Sequence, residues 1–253
     1  MNQEILGSEA KQKCKTAWDK LAAEYYSTNH MTSRNFDMII RHNFSSVIPK
    51  LSSTEPILDI GGGKGRLKEL YPNFDGSIIV GDFSLPMLKI NNYFSKNTTL
   101  VQTDAFNIPF KSGVFQAVFS LLGDSYPLEK VFSDVYRVLR PEGFFFIALP
   151  NRIWRKNIAL VLGIDENETV FLLRDGKKLR VPSFLYAADD LGKILFTVGF
   201  EILKSGDWDS SNLTEHPYFS EHVLIAARNM NITPEKVPLI TYALARKSKS
   251  PAR

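Results

Sequence analysis

The stretch Leu58-Asp59-Ile60-Gly61-Gly62-Gly63-Lys64-Gly65-Arg66 packs four glycines into five residues directly after a short apolar run. Glycines let a backbone adopt positive φ and come close to a ligand. A helix that starts after such a loop turns its free amides toward negative charge. The spacing separates three nucleotide-binding patterns. A phosphate-binding loop needs Ser or Thr after its Gly-Lys, and here Gly65 follows Lys64. A dinucleotide fingerprint needs Gly or Ala where this chain has Arg66. The pattern that fits is Asp-x-Gly-x-Gly-x-Gly at Asp59, Gly61, Gly63 and Gly65. Two carboxylates follow at regular intervals. Asp82 lies 23 residues after Asp59 and Asp104 lies 22 residues later, each at the end of an apolar run. The first suits the hydroxyls of a ribose and the second an adenine amino group, with Phe83 set to contact a base.

These residues need elements that bring them to one edge. Short apolar runs at 56–60, 77–82, 98–103, 115–122 and 144–149 alternate with helical stretches. Near-continuous apolar strands, separated by helices, mean a parallel sheet covered on both faces, and right-handed crossovers make it doubly wound. Before the sheet, residues 1–50 read as helical. Trp18, Leu21, Ala22 and Tyr25 share one face, and Phe36, Ile39, Ile40, Phe44, Val47 and Ile48 form a second stripe with Ser33 as N-cap. After Leu149 the alternation stops for about forty residues. Asp175-Gly176 there is a two-residue hairpin turn signal, pairing Leu172 with Leu179 and Val170 with Val181. A helix at 189–198 capped by Gly199, a strand at 200–204 and a strand at 223–227 complete the reading.

Composition bounds the class. The chain has 253 residues, 44% of them apolar and 23% charged, as in an ordinary folded protein. Its single cysteine, Cys14, leaves no internal disulfide and no cysteine-based zinc site, and the scattered histidines His30, His42, His216 and His222 lack ligand spacing, so no metal is expected. The first fifteen residues carry charges throughout, no apolar run approaches about 18 residues, and nothing points to an oxidising compartment, so a cytoplasmic protein without a membrane span is expected. The net charge of +4 equals the contribution of Arg246, Lys247, Lys249 and Arg253 in the C-terminal tail, which reads as solvated. A nucleic-acid partner is therefore not favoured.

Residues about 55–150 resemble the class I S-adenosylmethionine-dependent methyltransferases, and are most similar to the group that includes quinone-biosynthesis and small-molecule methyltransferases. The carrying segments are Leu58 to Gly65, Val80-Gly81-Asp82-Phe83-Ser84 with Met87-Leu88, Thr103-Asp104-Ala105 with Ile108-Pro109-Phe110, and Val138-Leu139-Arg140-Pro141-Glu142-Gly143. The resemblance implies a seven-stranded Rossmann-like sheet of order 3-2-1-4-5-7-6 with the last strand antiparallel. It implies S-adenosyl-L-methionine as cofactor, held by Asp59, Gly61, Gly63, Gly65, Asp82, Phe83, Asp104, Ala105 and Leu121. The N-terminal helix with Tyr25 would help close that site. Gln116 departs from the Asp usual at that position, a mainly structural one.

Methyl transfer from a sulfonium is a direct displacement that needs alignment and exclusion of water rather than a covalent residue or a metal. A hydroxyl acceptor also needs a base. Asp124, between Gly123 and Ser125 after the fourth strand, and His30 and His216 in flanking segments are the catalytic candidates. The chain divides into a helical cap at 1–50, a methyltransferase domain at 51–228 with a lid insertion at 151–186, and a tail at 229–253. The insertion holds Trp154, Phe171, Phe184 and Tyr186 and seven basic residues against four acidic ones, which suits an anionic or aromatic small molecule. Methylation of RNA or protein, a cofactor-binding protein without turnover, and a nicotinamide oxidoreductase disfavoured by Arg66 are the alternatives.

Overall fold

The computed structural model describes residues 8–25, 30–90, 97–125, 128–214 and 218–249. His216 lies outside them. Two helices, α1 (Ser8–Leu21) and α2 (Met31–Val47), precede β1 (Ile57–Ile60), α3 (Arg66–Leu70), β2 (Ile78–Asp82), α4 (Leu85–Lys89), β3 (Thr98–Gln102), β4 (Phe115–Leu121), α5 (Leu128–Val138) and β5 (Leu139–Pro150). Then come α6 (Arg152–Leu162), a hairpin of β6 (Glu168–Leu172) and β7 (Lys178–Pro182), α7 (Ala188–Val198), β8 (Phe200–Trp208), α8 (Glu221–Met230) and β9 (Ile240–Lys247). The main sheet runs β3-β2-β1-β4-β5-β9-β8, which is the expected order with β9 antiparallel to both neighbours.

Alternation along the central strands feeds two cores. Ile57, Phe119, Phe146 and Leu244 face a layer containing Phe44 of α2, Trp154 and Ile158 of α6 and Val223 of α8. Leu58, Val118, Phe145 and Ala245 face Phe132 and Val135 of α5 and Leu191 and Leu195 of α7. Both faces are covered, so β1 and β4 are buried at every residue and are mostly apolar, with Asp59, Gln116 and Ser120 the polar exceptions.

Five expectations need correction. Residues 223–227 are helical: Ser220 caps α8 by accepting from Val223 N, Asn231 ends it in the left-handed region, and Val223, Ala226 and Ala227 bury one face. The seventh strand is β9, inside the stretch read as a solvated tail. Its cations are tied down, Arg246 to Glu201 and Lys247 to the carbonyls of Tyr136 and Leu139, and the sheet therefore continues past residue 228. The hairpin closes through three residues, with Gly176 at φ 79, so Phe171 pairs with Leu179 and Val170 with Arg180. That one-residue shift exchanges the faces of one strand relative to the other. Helix α6 was not expected, although Asn151 caps its start through Ile153 and Trp154 amides and Gly163 ends it. At α2 the N-cap position is His30 rather than Ser33.

Gln116 explains its own departure. Its buried amide accepts from Ser52 N at 2.8 Å and donates to the carbonyls of Ser52 and Glu55, both at 2.6 Å, fastening the segment that enters β1. Gln116→Leu is expected to cost about 1–3 kcal/mol, read as a lower thermal midpoint, while the cofactor cavity keeps its ligand affinity.

Candidate functional site

The carboxyl ends of β1, β2, β3 and β4 open into a cavity of about 110 Å³. Gly61, Gly63 and Gly65 all have positive φ, at 70°, 48° and 84°, which only glycine adopts readily. Gly62 is required for a different reason: a Cβ there would lie 2.5 Å from Asp59 Oδ2 and 2.8 Å from Val80 Cγ1. Asp59 is wholly buried beneath the loop, and burial pushes its carboxyl up to about 7, against the opposite pull of the Leu67 amide and Arg66.

Asp82 ties the loop to the neighbouring strand. Its Oδ2 accepts from Gly63 N at 3.0 Å and its Oδ1 from Ser84 N at 2.8 Å. Each carboxylate oxygen has a second lone pair, so a ribose can still be received. Burial pushes this carboxyl up to about 6, with the two amides opposing. Asp104 accepts from Phe106 N at 2.9 Å and meets Lys11 Nζ at 2.9 Å, and the same ammonium lies 4.1 Å from the centre of the Phe106 ring. Arg66 lines the cavity, buried and paired with Asp37. Helix α1 is drawn across the opening by three bonds: Lys11 to Asp104, Trp18 Nε1 to Ser125 Oγ at 3.0 Å, and Ser84 Oγ to Asp19 at 2.6 Å.

Of the residues named as cofactor ligands, Tyr25, Gly61, Asp82, Phe83, Asp104, Ala105 and Leu121 line the cavity. Asp59, Gly63 and Gly65 do not line it; they shape the loop from below and behind. Lys11 and Phe106 also line it and were not singled out. The sequence signal for Lys11 is faint, because one lysine on a charged helix looks like solvated surface. The cavity fits an adenosyl amino acid: two strand-end carboxylates for hydroxyl and amino groups, flat apolar walls at Phe83 and Phe106, and an arginine near the glycine amides.

A second chamber of about 860 Å³ adjoins the first, sharing Trp18, Tyr25, Leu122 and Ser125 with it. Leu122 stands at the junction with φ 62, a conformation that costs a leucine about 1–3 kcal/mol. The chamber lies between α2, α6 and the hairpin. Phe171 of β6 reaches the N-terminal segment, with ring centres 6.0 Å from Trp18, 5.8 Å from Tyr25 and 5.5 Å from His30.

Two of the catalytic candidates share this chamber. Asp124 lines it, its Oδ2 accepting from Ser183 Oγ and its carbonyl from Phe184 N. Burial pushes its carboxyl up to about 6, opposed by Ser183 and more weakly by Arg155. Arg155 is itself buried and donates to the carbonyls of Asp165 and Glu166. His30 also lines the chamber, and its Nε2 has no hydrogen-bond partner. Burial lowers the His30 and His222 pKa values. Arg155, His222 and Ser183 were missed as a group, because nothing in their spacing connects α6, α8 and the loop after β7. Among the described residues no cluster of His, Cys, Asp or Glu could hold a metal, and no helix is long and apolar enough to cross a membrane.

These shifts carry a sign. Asp82 and Asp124 bind their protons more tightly folded than unfolded, so the stability that protonation contributes is present at low pH and lost as pH rises from about 3.8 through about 6. Asp124→Asn should remove one such loss. Its stability relative to the parent is expected to improve by about 1–3 kcal/mol between pH 4 and pH 7, followed by urea unfolding across that range. A pH-independent difference would contradict the burial of a titrating carboxylate.

Comparison with known proteins agrees with this geometry. Residues 58–147 match a family described as a methyltransferase domain. The demethylmenaquinone methyltransferase of Streptomyces avermitilis is 27% identical over 128 residues, covering 50% of this chain and 55% of the relative. The chain thus spans little more than half the length of such curated relatives. An S-adenosylmethionine dependent methyltransferase from Mesorhizobium loti superposes with a TM-score of 0.57 at 15% identity, over 81% of this chain and 96% of that one. The phosphoethanolamine N-methyltransferase 2 of Haemonchus contortus, solved with S-adenosylhomocysteine, superposes at 0.58 and 15% identity, over 92% of this chain and 60% of that one. Residues 58–147 thus carry a methyltransferase domain, and the chain shares its fold with S-adenosylmethionine-dependent methyltransferases.

Proposed function

We propose that this protein transfers a methyl group from S-adenosylmethionine to a small apolar or aromatic acceptor held in the larger chamber, with Asp124 as the proton acceptor. The observation that carries the reading is the junction of the two cavities at Leu122 and Ser125, one walled by strand-end carboxylates and glycine backbone and the other by aromatic and aliphatic side chains interspersed with Asp124, Arg155 and His222. The cofactor supplies an electrophilic methyl on sulfur. Asp82 and Asp104 orient the nucleoside, and Arg66 with the loop amides receives the amino-acid carboxylate. The Trp18–Ser125 bond and Phe171 close the junction against water, which strengthens alignment and prevents side reactions.

Asp124 takes the proton of an acceptor hydroxyl. A carboxyl whose pKa burial has raised toward neutrality is a better base than a solvated one. Loss of that proton makes the oxygen, and the ring carbons beside it, better nucleophiles. Ser183 holds the carboxylate in place, and His30 offers its free Nε2 to a second polar group of the acceptor. Residues 151–186 act as wall and lid: α6 forms one side of the chamber and the hairpin closes it against the N-terminal segment, anchored by Arg174 N on Glu24 at 2.8 Å. A chamber bounded on several sides by α2, α6 and the hairpin suits a small molecule better than an RNA or a protein. The curated relative's name, demethylmenaquinone methyltransferase, supports an aromatic ring acceptor.

The reading is tested with methyl-labelled S-adenosylmethionine and a panel of phenols, naphthols and quinols. Label should enter at least one of them, and a panel without product in the presence of bound cofactor would contradict it. Asp124→Asn is expected to lower turnover by about 10²–10⁴-fold without weakening S-adenosylhomocysteine binding. Asp82→Ala is expected to do the reverse. It removes charge-assisted bonds worth about 1.5–3 kcal/mol of cofactor affinity and frees the Gly63 amide, and titration calorimetry reads the loss directly.

A further inference from the structure

Helix α6 and the hairpin carry apolar side chains that nothing covers. Leu160, Val161 and Leu162 at the end of α6 are 74%, 50% and 42% exposed, and Leu172 at the end of β6 is 61% exposed. Ile153, Lys156 and Leu160 stand at i, i+3 and i+7, so they share one face of the helix. Leu162 and Leu172 also line the larger chamber, which therefore opens to the outside along this edge. Large apolar residues clustered at the mouth of a cavity mark an interaction site.

The surrounding charge selects the partner. Among the described residues Lys156, Arg174 and Lys178 make no ion pair, whereas Asp175 is matched by Lys177 and Glu168 by Arg180. The edge is thus apolar with free cations beside it. A second copy of the chain seated there by a two-fold axis would bring these cations against one another. An anionic lipid surface meets both requirements, since it takes leucines into the acyl boundary and lysines and arginines at the headgroups.

We propose that the edge formed by the end of α6 and the tip of the hairpin docks on an anionic membrane surface, and that an apolar acceptor enters the chamber from that surface. The second clause rests on the function proposed above; the docking does not. It also gives the insertion's basic character a use, because the excess charge sits where headgroups would lie.

The test is sedimentation of the full chain with phosphatidylcholine vesicles, with and without about one third phosphatidylglycerol, at about 0.1 M salt. Binding is expected to the anionic vesicles only. Leu160→Ser with Leu172→Ser, and separately Lys156→Glu with Lys178→Glu, should each weaken it at least about tenfold. Both variants should keep the melting shift given by S-adenosylhomocysteine, which shows that they are folded. Absence of binding to anionic vesicles, or binding indifferent to both double variants, overturns the proposal. So does light scattering that shows the leucines holding a dimer together. Equal binding to immobilised polyglutamate that ignores the leucine variants would mean an acidic protein partner and would likewise overturn it. Cofactor binding without vesicle binding refutes docking alone; vesicle binding without cofactor binding refutes the methyltransferase reading alone.

Discussion

One carboxylate holds the site together. Asp82 ends β2 and accepts from Gly63 on the loop after β1 and from Ser84 at the start of α4. Ser84 in turn caps α4 and donates to Asp19 of α1. A strand end, a glycine loop, a short helix and the N-terminal lid are thus registered on one residue. Removing water from that carboxylate is costly, which its raised pKa records, and two backbone amides offset part of the cost. The carboxylate still lines the cavity. Binding capacity and loop geometry are consequently hard to separate at this position.

The second dependence is between the lid and the insertion. Neither α1 nor the hairpin belongs to the sheet, yet they meet over the junction of the two cavities. Phe171 contacts Trp18, Tyr25 and His30, and Arg174 N bonds to Glu24. Trp18 also bonds to Ser125 beside the proposed base. An acceptor that presses on Phe171 therefore acts on the element that covers the cofactor cavity. Such coupling is what a displacement reaction needs, since both reactants must be enclosed before the methyl moves.

The sheet was legible because a parallel strand buried on both faces has a simple signature, and β1, β2, β4 and β5 carry it. The glycine loop and the two Asp were legible because each answers a local backbone or charge requirement. The failures share a cause. Residues 223–227 are apolar at a length where strand and helix look alike, and the deciding signals were the caps Ser220 and Asn231. The strand Ile240–Lys247 was hidden by its basic end, whose charges are satisfied only by Glu201 and by carbonyls far away in the chain. The hairpin register turned on whether two or three residues close it. The acceptor chamber was least legible of all: Asp124, Arg155, His222 and His30 come from four separate segments, and no spacing rule links them.

The most direct measurement is a crystal structure with S-adenosylhomocysteine bound. The expected result places the ribose on Asp82, the base against Phe83 with its amino group toward Asp104, and the sulfur at Leu122 facing the chamber that contains Asp124. A ligand seated elsewhere, or a sulfur pointing away from that chamber, would contradict the assignment of donor and acceptor sites.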